Sequence, residues 1–235
     1  MQKSEKNRDT IKRKRWFKIY KCIIRPFIKK PRFKYLGEKI SEPSIILSNH
    51  VGAKAPLSWE IFFKHPFRFW GTYEMTSGIK SVYKYLSTTY FHQKKHMNRV
   101  LAKIIAFVAC PFVNLFYKGM RLIPTYRDAR LKGTINQSEK TIEKGGNLII
   151  FPEDSAKGYF DTLKTFYGGF VVFAERMLNK GKDLRIYVAY LHRKAHTFII
   201  DKPQRYSSLR GEIYDKNVIA EKLCHRANEL AVMPL

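Results

Sequence analysis

Three short segments of the sequence carry residue types suited to acid–base and phosphate chemistry. They are Ser48-Asn49-His50, residues 123–127 ending at Arg127, and residues 151–155 with Glu153 and Asp154. Histidine has an unperturbed pKa near 6.5 and can accept a proton from an alcohol near neutral pH. The planar fork of an arginine matches a pair of phosphate oxygens. Together the segments offer a general base, a guanidinium and paired carboxylates.

Each of these residues also has an ordinary structural interpretation. A loop histidine taken alone is more often structural than catalytic, and an arginine at a strand end usually lies at a solvated rim. Glu153 and Asp154 could equally be helix-capping carboxylates. Their shared position at the ends of predicted strands favours a site, because α/β folds build active sites at such ends.

The apolar patterning predicts the elements that position these segments. The run Ser44-Ile45-Ile46-Leu47, a small polar turn and then Pro56 predict a strand, a loop and a helix start. Further strands are predicted at residues 67–73, 120–125, 147–151, 184–190 and 196–200, the last two as a hairpin, and helices at 57–63, 128–144, 166–178 and 216–230. Strands that alternate with helices predict an α/β fold, a mixed sheet flanked by helices.

The composition limits the class of protein. A chain of 235 residues that is 45% hydrophobic and 14% aromatic can build a sizeable core, which excludes wholesale disorder. Cys22, Cys110 and Cys224 share no metal-ligand spacing, so we expect reduced cysteines in an intracellular protein and no metal site. The polar first ten residues argue against a cleavable signal peptide, which predicts a cytoplasmic location.

The net charge of +26 requires a polyanionic partner, which is a nucleic acid, an anionic membrane or an acidic small substrate. Residues 1–36 hold 14 Lys and Arg against Glu5 and Asp9, a net +12. This concentration predicts a basic arm at residues 1–36, followed by one α/β domain at residues 37–235.

The arm has the pattern of an amphipathic helix. Apolar residues recur on one helical face at positions 16, 19, 20, 23 and 27, with cations on the rest. Such a helix suits the interface of an anionic bilayer. The alternative is a helix docked on its own domain with a solvated basic face.

A second apolar stretch lies at residues 104–117, which contain no charged residue. A helix that crosses a membrane needs roughly twenty apolar residues. This run is shorter, is flanked by Lys103 and Lys118, and is expected to be broken by Pro111. The pattern therefore predicts a buried or membrane-dipping segment rather than a true span.

In order and spacing, the three polar segments resemble the glycerolipid acyltransferase family, best known from the 1-acylglycerol-3-phosphate acyltransferases. In that family a strand ends in Asn-His, and a later strand carries Ile-Pro-x-x-Arg, here Ile123-Pro124-Thr125-Tyr126-Arg127. About twenty-five residues further on comes Phe-Pro-Glu-Gly-Thr-Arg, here Phe151-Pro152-Glu153-Asp154-Ser155-Ala156. The resemblance covers residues 45–203.

The main departures of this chain from the family pattern fall at three positions. Ala55 stands where the family has the Asp that polarises the histidine, and Asp154 and Ala156 replace the glycine and arginine of the last motif. Lys157 offers a cation one place later. Three residues are candidates to stand in for the missing carboxylate, namely Ser58, Glu60 and Asp154. Without a stand-in, we expect a slow or inactive protein.

The resemblance implies a function and a set of roles. His50 would deprotonate the hydroxyl of a lysophospholipid, which attacks an acyl thioester carried by coenzyme A or acyl carrier protein. Arg127 would hold the acceptor phosphate and Glu153 would orient the acceptor's polar part. Asn49, Ser155 and Lys157 complete the predicted substrate-binding set. No bound cofactor or metal is expected.

Three functions compete on these grounds. The first is a membrane-surface acyltransferase, peripheral on the inner face of the cell membrane. The second is a catalytically inactive relative that binds anionic lipid. The third is a nucleic-acid-binding protein, which the charge permits. The aromatic residues argue against the third, because they follow apolar helix faces and strands rather than interleaving with a basic patch.

Overall fold

A computed structural model describes residues 11–126, 128–155, 158–212 and 214–234. Within these ranges the chain forms an eight-stranded mixed sheet flanked by helices. The predicted α/β class is therefore confirmed, including the basic N-terminal helix.

The sheet contains both parallel and antiparallel pairs. Its strands are β1 (Arg32–Tyr35), β2 (Ser44–Ser48), β3 (Phe67–Thr72), β4 (Ile123–Thr125), β5 (Asn147–Ile150), β6 (Arg185–His192), β7 (Thr197–Ile200) and β8 (Gln204–Arg205). They are ordered β1-β7-β6-β2-β5-β3-β4, with β8 paired to β6. Strands β6, β2, β5, β3 and β4 run parallel in succession, whereas β7 and β8 pair antiparallel with β6. The antiparallel β6–β7 pair is the predicted hairpin.

The helices pack on both faces of this sheet. They are α1 (Arg15–Ile24), α2 (Lys54–Phe62), α3 (Ile79–Lys84), α4 (Arg99–Met120), α5 (Leu131–Glu143), α6 (Gly169–Asn179), α7 (Tyr206–Arg210) and α8 (Lys216–Val232). A 3₁₀ turn (Arg25–Phe27) extends α1, a second one (Tyr73–Met75) follows β3, and a π-helix (Tyr85–Lys94) extends α3.

Alternation along β2 divides the core into two layers. Ile45 and Leu47 point into the cluster formed with α6 and α8, and Ile46 points into the cluster that contains Trp59 of α2 and Phe17 of α1. A strand that is covered on both faces has a continuous run of apolar residues. This explains why β2 could be predicted from the sequence.

The arm is partly docked on the domain. Phe17 is fully buried and its ring lies 5.3 Å from that of Phe116 in α4. A Cβ on Gly119 would approach the Phe17 ring to 2.0 Å, so the glycine makes room for it. Arg32–Tyr35, at the end of the predicted arm, form β1 and pair with β7. The sheet thus begins inside the segment assigned to the arm, whose boundary at residue 36 stays a prediction.

Buried charges fasten the arm to α2. The carboxylate of Glu60 accepts hydrogen bonds from Arg13 at 2.7 and 2.9 Å and from Lys21 at 3.0 Å. The side chain of Glu60 is 0% exposed. Glu60 is therefore committed to the arm and does not serve His50.

The expectation that Pro111 breaks the apolar run is wrong. Helix α4 is 22 residues long and continues through Pro111. Proline in a helix interior removes one hydrogen bond and usually bends the axis. Here one side of α4 packs on α3 and the π-helix through Cys110, Val82 and Leu86, and this packing offsets the lost bond.

Candidate functional site

The carboxyl ends of the neighbouring strands β2 and β5 bring several of the predicted site residues together at one edge of the sheet. Strands β2 and β5 are direct neighbours, so the segments that follow them meet. The backbone N–H of His50 donates to Oε1 of Glu153 at 3.1 Å. The structure therefore brings together His50 and Glu153, which are 103 residues apart in the sequence.

Asn49 holds the loop in place. Its side-chain amide donates to the Leu191 carbonyl at 3.2 Å, and its side-chain oxygen accepts from the Leu191 N–H at 2.7 Å. The side chain is only 2% exposed. These bonds extend the β2–β6 pairing beyond the end of β2 and position His50. The substrate-binding role of Asn49 stays a prediction.

A strained turn fixes the ring of His50. Val51 and Gly52 both have positive φ angles, of 45° and 65°, and a β-branched residue rarely adopts this conformation. The turn directs the Gly52 carbonyl oxygen at Nδ1 of His50, and the two atoms form a short hydrogen bond. Because a carbonyl only accepts, Nδ1 carries the proton and Nε2 carries the lone pair. The tautomer suits Nε2 as a base.

Aromatic rings enclose the imidazole. Its centroid lies 4.8 Å from the ring of Phe151 and 5.0 Å from that of Tyr159. Burial, reinforced by the positive charge of Lys94, lowers the pKa of His50 to about 4. The imidazole is therefore neutral at pH 7 and able to take up a proton, although the low pKa also makes it a weak base.

Glu153 sits in a short pairing that steadies the segment after β5. It forms an isolated antiparallel bridge with Phe166, and the Tyr167 N–H donates to the Pro152 carbonyl at 2.8 Å. Burial raises the pKa of Glu153 to about 7, against the opposing effects of the His50 N–H and Lys94. Near neutral pH this carboxyl is thus divided between its two protonation states.

Lys94, at the end of the π-helix, is a cation of the site that sequence reasoning missed. Its Nζ donates to Oγ of Ser155 at 2.6 Å and lies 5.2 Å from the centre of the Tyr159 ring. Burial lowers the pKa of Lys94, while Glu153 and Asp154 act in the opposite direction. Its only sequence signal is the segment from His92 to His96, in which four of the five residues are His or Lys. Such a segment is common in solvated loops.

Arg127 and Lys157 lie outside the described residues, so their predicted roles stay predictions. The residue before Arg127, Tyr126, stacks on Tyr73 with ring centroids 5.6 Å apart. Strand β4 is separated from β5 by β3, which at about 4.8 Å per strand places its end roughly 10 Å from β5.

The partner of Nδ1 of His50 is the Gly52 carbonyl rather than one of the three candidates for the missing carboxylate. Ser58 is fully buried, and its hydroxyl has no hydrogen-bond partner among the described residues. Glu60 binds the arm, and the exposed Asp154 donates its backbone N–H to Thr165. Ala55 itself is buried in the core at the second residue of α2. The Gly52 carbonyl makes the contact to Nδ1.

The described part of the chain shows no cluster of three or more His, Cys, Asp or Glu side chains that could hold a metal ion. What it shows is an α/β fold with a histidine, a carboxyl and a lysine at the carboxyl edge of its sheet. No protein-family model matches the chain, and no curated protein matches it.

The two buried groups give opposite pH dependences to the stability. Between pH 4.5 and 7, Glu153 binds its proton more tightly in the folded protein, so its contribution to the free energy of unfolding falls as the pH rises. Between pH 4 and 6.5, His50 binds its proton more tightly in the unfolded chain, so its contribution rises with pH. In the wild type the two slopes largely offset each other from pH 4.5 to 6.5.

When either group is removed, the pH dependence of the free energy of unfolding should follow the remaining group. From pH 4.5 to 6.5, the free energy of unfolding of Glu153→Gln should rise more steeply with pH than that of the wild type, and that of His50→Ala less steeply. Urea unfolding at several pH values measures this. Val218→Ser removes no titratable group and serves as the control. Parallel curves for all four proteins would contradict the opposed shifts.

Proposed function

We propose that this protein is an acyltransferase at a membrane surface. It moves a fatty acyl group from acyl-CoA or acyl carrier protein to the hydroxyl of a lysophospholipid such as 1-acylglycerol-3-phosphate. The single observation that carries the proposal is the arrangement at His50, a neutral imidazole whose Nδ1 is held by Gly52 and whose Nε2 carries the lone pair. The resemblance to glycerolipid acyltransferases supports it.

In the proposed reaction, Nε2 of His50 takes the proton of the acceptor hydroxyl. The resulting oxygen nucleophile attacks the thioester carbonyl carbon and forms a tetrahedral intermediate. When this intermediate collapses, the C–S bond breaks and the thiolate leaves with the proton returned by the imidazolium. The products are a diacyl phospholipid and a free thiol. No metal or bound cofactor enters these steps.

The remaining residues are assigned by their positions and by the resemblance. Lys94 brings a positive charge into the site, where it can offset the oxyanion of the intermediate. Glu153 holds the His50 loop through the backbone N–H and orients the polar part of the acceptor. Arg127 binds the acceptor phosphate, as the family pattern implies.

The second candidate is an inactive relative that binds anionic lipid on the cytoplasmic face of the membrane. It is favoured by one specific observation, namely that the partner of Nδ1 is a neutral carbonyl rather than a carboxylate. A carbonyl fixes the tautomer as an aspartate would, but it does not neutralise the imidazolium that forms during the reaction.

Incubation of the purified protein with lysophospholipids and acyl thioesters, followed by mass spectrometry of the lipids, separates the two candidates. We expect one new diacyl product, whose mass identifies the acceptor. The panel varies the head group, the acyl-chain length and the carrier. His50→Ala protein treated identically is the control for background transfer. Folded wild-type protein that yields no product across the panel would overturn the enzymatic proposal.

A further inference from the structure

Helix α4 carries large apolar side chains on the side that faces away from the domain. In the first half of α4, the side packed on the domain carries small residues at a spacing of four, namely Ala102, Ala106 and Cys110. The outward side carries large apolar residues, and Phe107 and Phe112 are 76% and 63% exposed. The other exposed apolar residues of α4 are Val100, Leu101, Ile104, Val108 and Leu115. A helix that faces only water normally shows polar residues there.

The adjoining arm helix continues the apolar surface. Docking of α1 through Phe17 leaves four large side chains of α1 and its 3₁₀ turn exposed, namely Trp16, Ile19, Ile23 and Phe27. Phe27 is 85% exposed. Helix α1 contacts α4 through the rings of Phe17 and Tyr20 against Phe116. The exposed stripes of α1 and α4 therefore belong to neighbouring helices, and we call them together the apolar face.

The charges around the apolar face are of one sign. Residues 11–36 and 99–120 contain no Asp or Glu. Arg99, Lys103 and Lys118 stand at the two ends of α4, and the arm adds further lysines and arginines. An apolar surface whose own two segments carry only positive charges complements lipid acyl chains below anionic head groups. A second copy of this chain, with its own net charge of +26, would be repelled.

We propose that the apolar face embeds in the interface of an anionic bilayer, with α4 lying in the membrane plane beside α1. By length and composition, α4 is the one described helix apolar enough to cross a membrane. Its inner side is packed on α3 and the π-helix, so lipid cannot surround it. The inference extends the membrane contact from the arm to α4. It does not depend on acyl transfer, because an inactive relative would bind in the same way.

Vesicle sedimentation of the full chain tests the contribution of α4. The double variant Phe107→Ser, Phe112→Ser should bind phosphatidylglycerol-containing vesicles at least about tenfold more weakly than the wild type, since it removes two large inserting side chains. Val218→Ser and Val232→Ser on α8 replace exposed apolar residues elsewhere, at 60% and 84% exposure, and should change nothing. Circular dichroism checks that each variant is folded. Unchanged vesicle binding of the α4 variant would overturn the proposal.

The depth of insertion is a second, independent measurement. In a Trp16→Phe background, Phe107→Trp reports on α4 and Val218→Trp on α8. Vesicles whose acyl chains carry bromine should quench the fluorescence of the first reporter and spare the second. Equal quenching of the two reporters would contradict the bilayer assignment. So would a dimer that forms through α4 and excludes vesicles, or a preference of the protein for duplex DNA over vesicles.

Discussion

His50→Ala is expected to lower the rate of acyl transfer by about three orders of magnitude, within the range usual for loss of a general base. The expectation follows from the Gly52 carbonyl, which holds the proton on Nδ1 and leaves Nε2 to accept the acceptor's proton. The measurement is kcat for formation of the diacyl product at saturating substrates. A loss confined to kcat would show that the residue acts in the reaction rather than in binding.

The control for this variant is His225→Ala, which removes a histidine with a 76% exposed side chain on α8 and should retain wild-type activity. His50 is packed between Phe151 and Tyr159, so its removal leaves a small gap. Thermal unfolding must therefore show that the variant is folded at the assay temperature. A folded His50→Ala protein with wild-type kcat would place the base elsewhere.

Glu60→Gln is expected to lower the free energy of unfolding by about 3 kcal/mol, the low end of what breaking a buried ion pair costs. Arg13 and Lys21 both donate to this carboxylate, whose side chain is 0% exposed. A neutral amide cannot balance two cations at once. The measurement is urea unfolding, together with the rate at which trypsin cleaves the arm, which should rise as the arm detaches more often.

A matched exposed pair gives the control for Glu60. Glu143 lies 3.4 Å from Lys182, and both side chains are 46% exposed. Glu143→Gln should change the free energy of unfolding by less than about 1 kcal/mol. Equal losses for the two variants would show that burial adds nothing to the Glu60 contacts. The same contacts make deletion of the arm a poor test of membrane binding, because deletion would leave Glu60 buried without its cations.

The sequence predicted those parts of the fold that have strong periodicity. The residues of β2 and β5 are buried throughout, and their centres are apolar, because helices cover both faces of the sheet. Strand β1 went unpredicted, since Arg-Phe-Lys-Tyr is short, charged and half exposed. The π-helix also went unpredicted, because its ten residues show no apolar period. Docking of the arm depended on Phe17, which lies off the predicted apolar stripe.

The part of the candidate site that could be predicted from the sequence consists of side chains that directly follow predicted strands. His50 and Glu153 could be paired because β2 and β5 each end at a polar segment. The Gly52 contact had no sequence signature, since a main-chain carbonyl is present at every residue and only the turn geometry aims this one. Lys94 arrives from a separate helix through tertiary packing, which spacing along the chain cannot reveal.

Helix α2 connects the arm to the loop that carries His50. It starts four residues after His50 and is nine residues long, or about 13 Å at 1.5 Å per residue. Glu60, in the last turn of α2, forms ion pairs with Arg13 and Lys21 of the arm. A helix this short is stiff, so a change in the tilt of the arm would be passed through α2 to the loop that carries His50. In the proposed enzyme, attachment of the arm to a membrane would therefore be coupled to the position of His50.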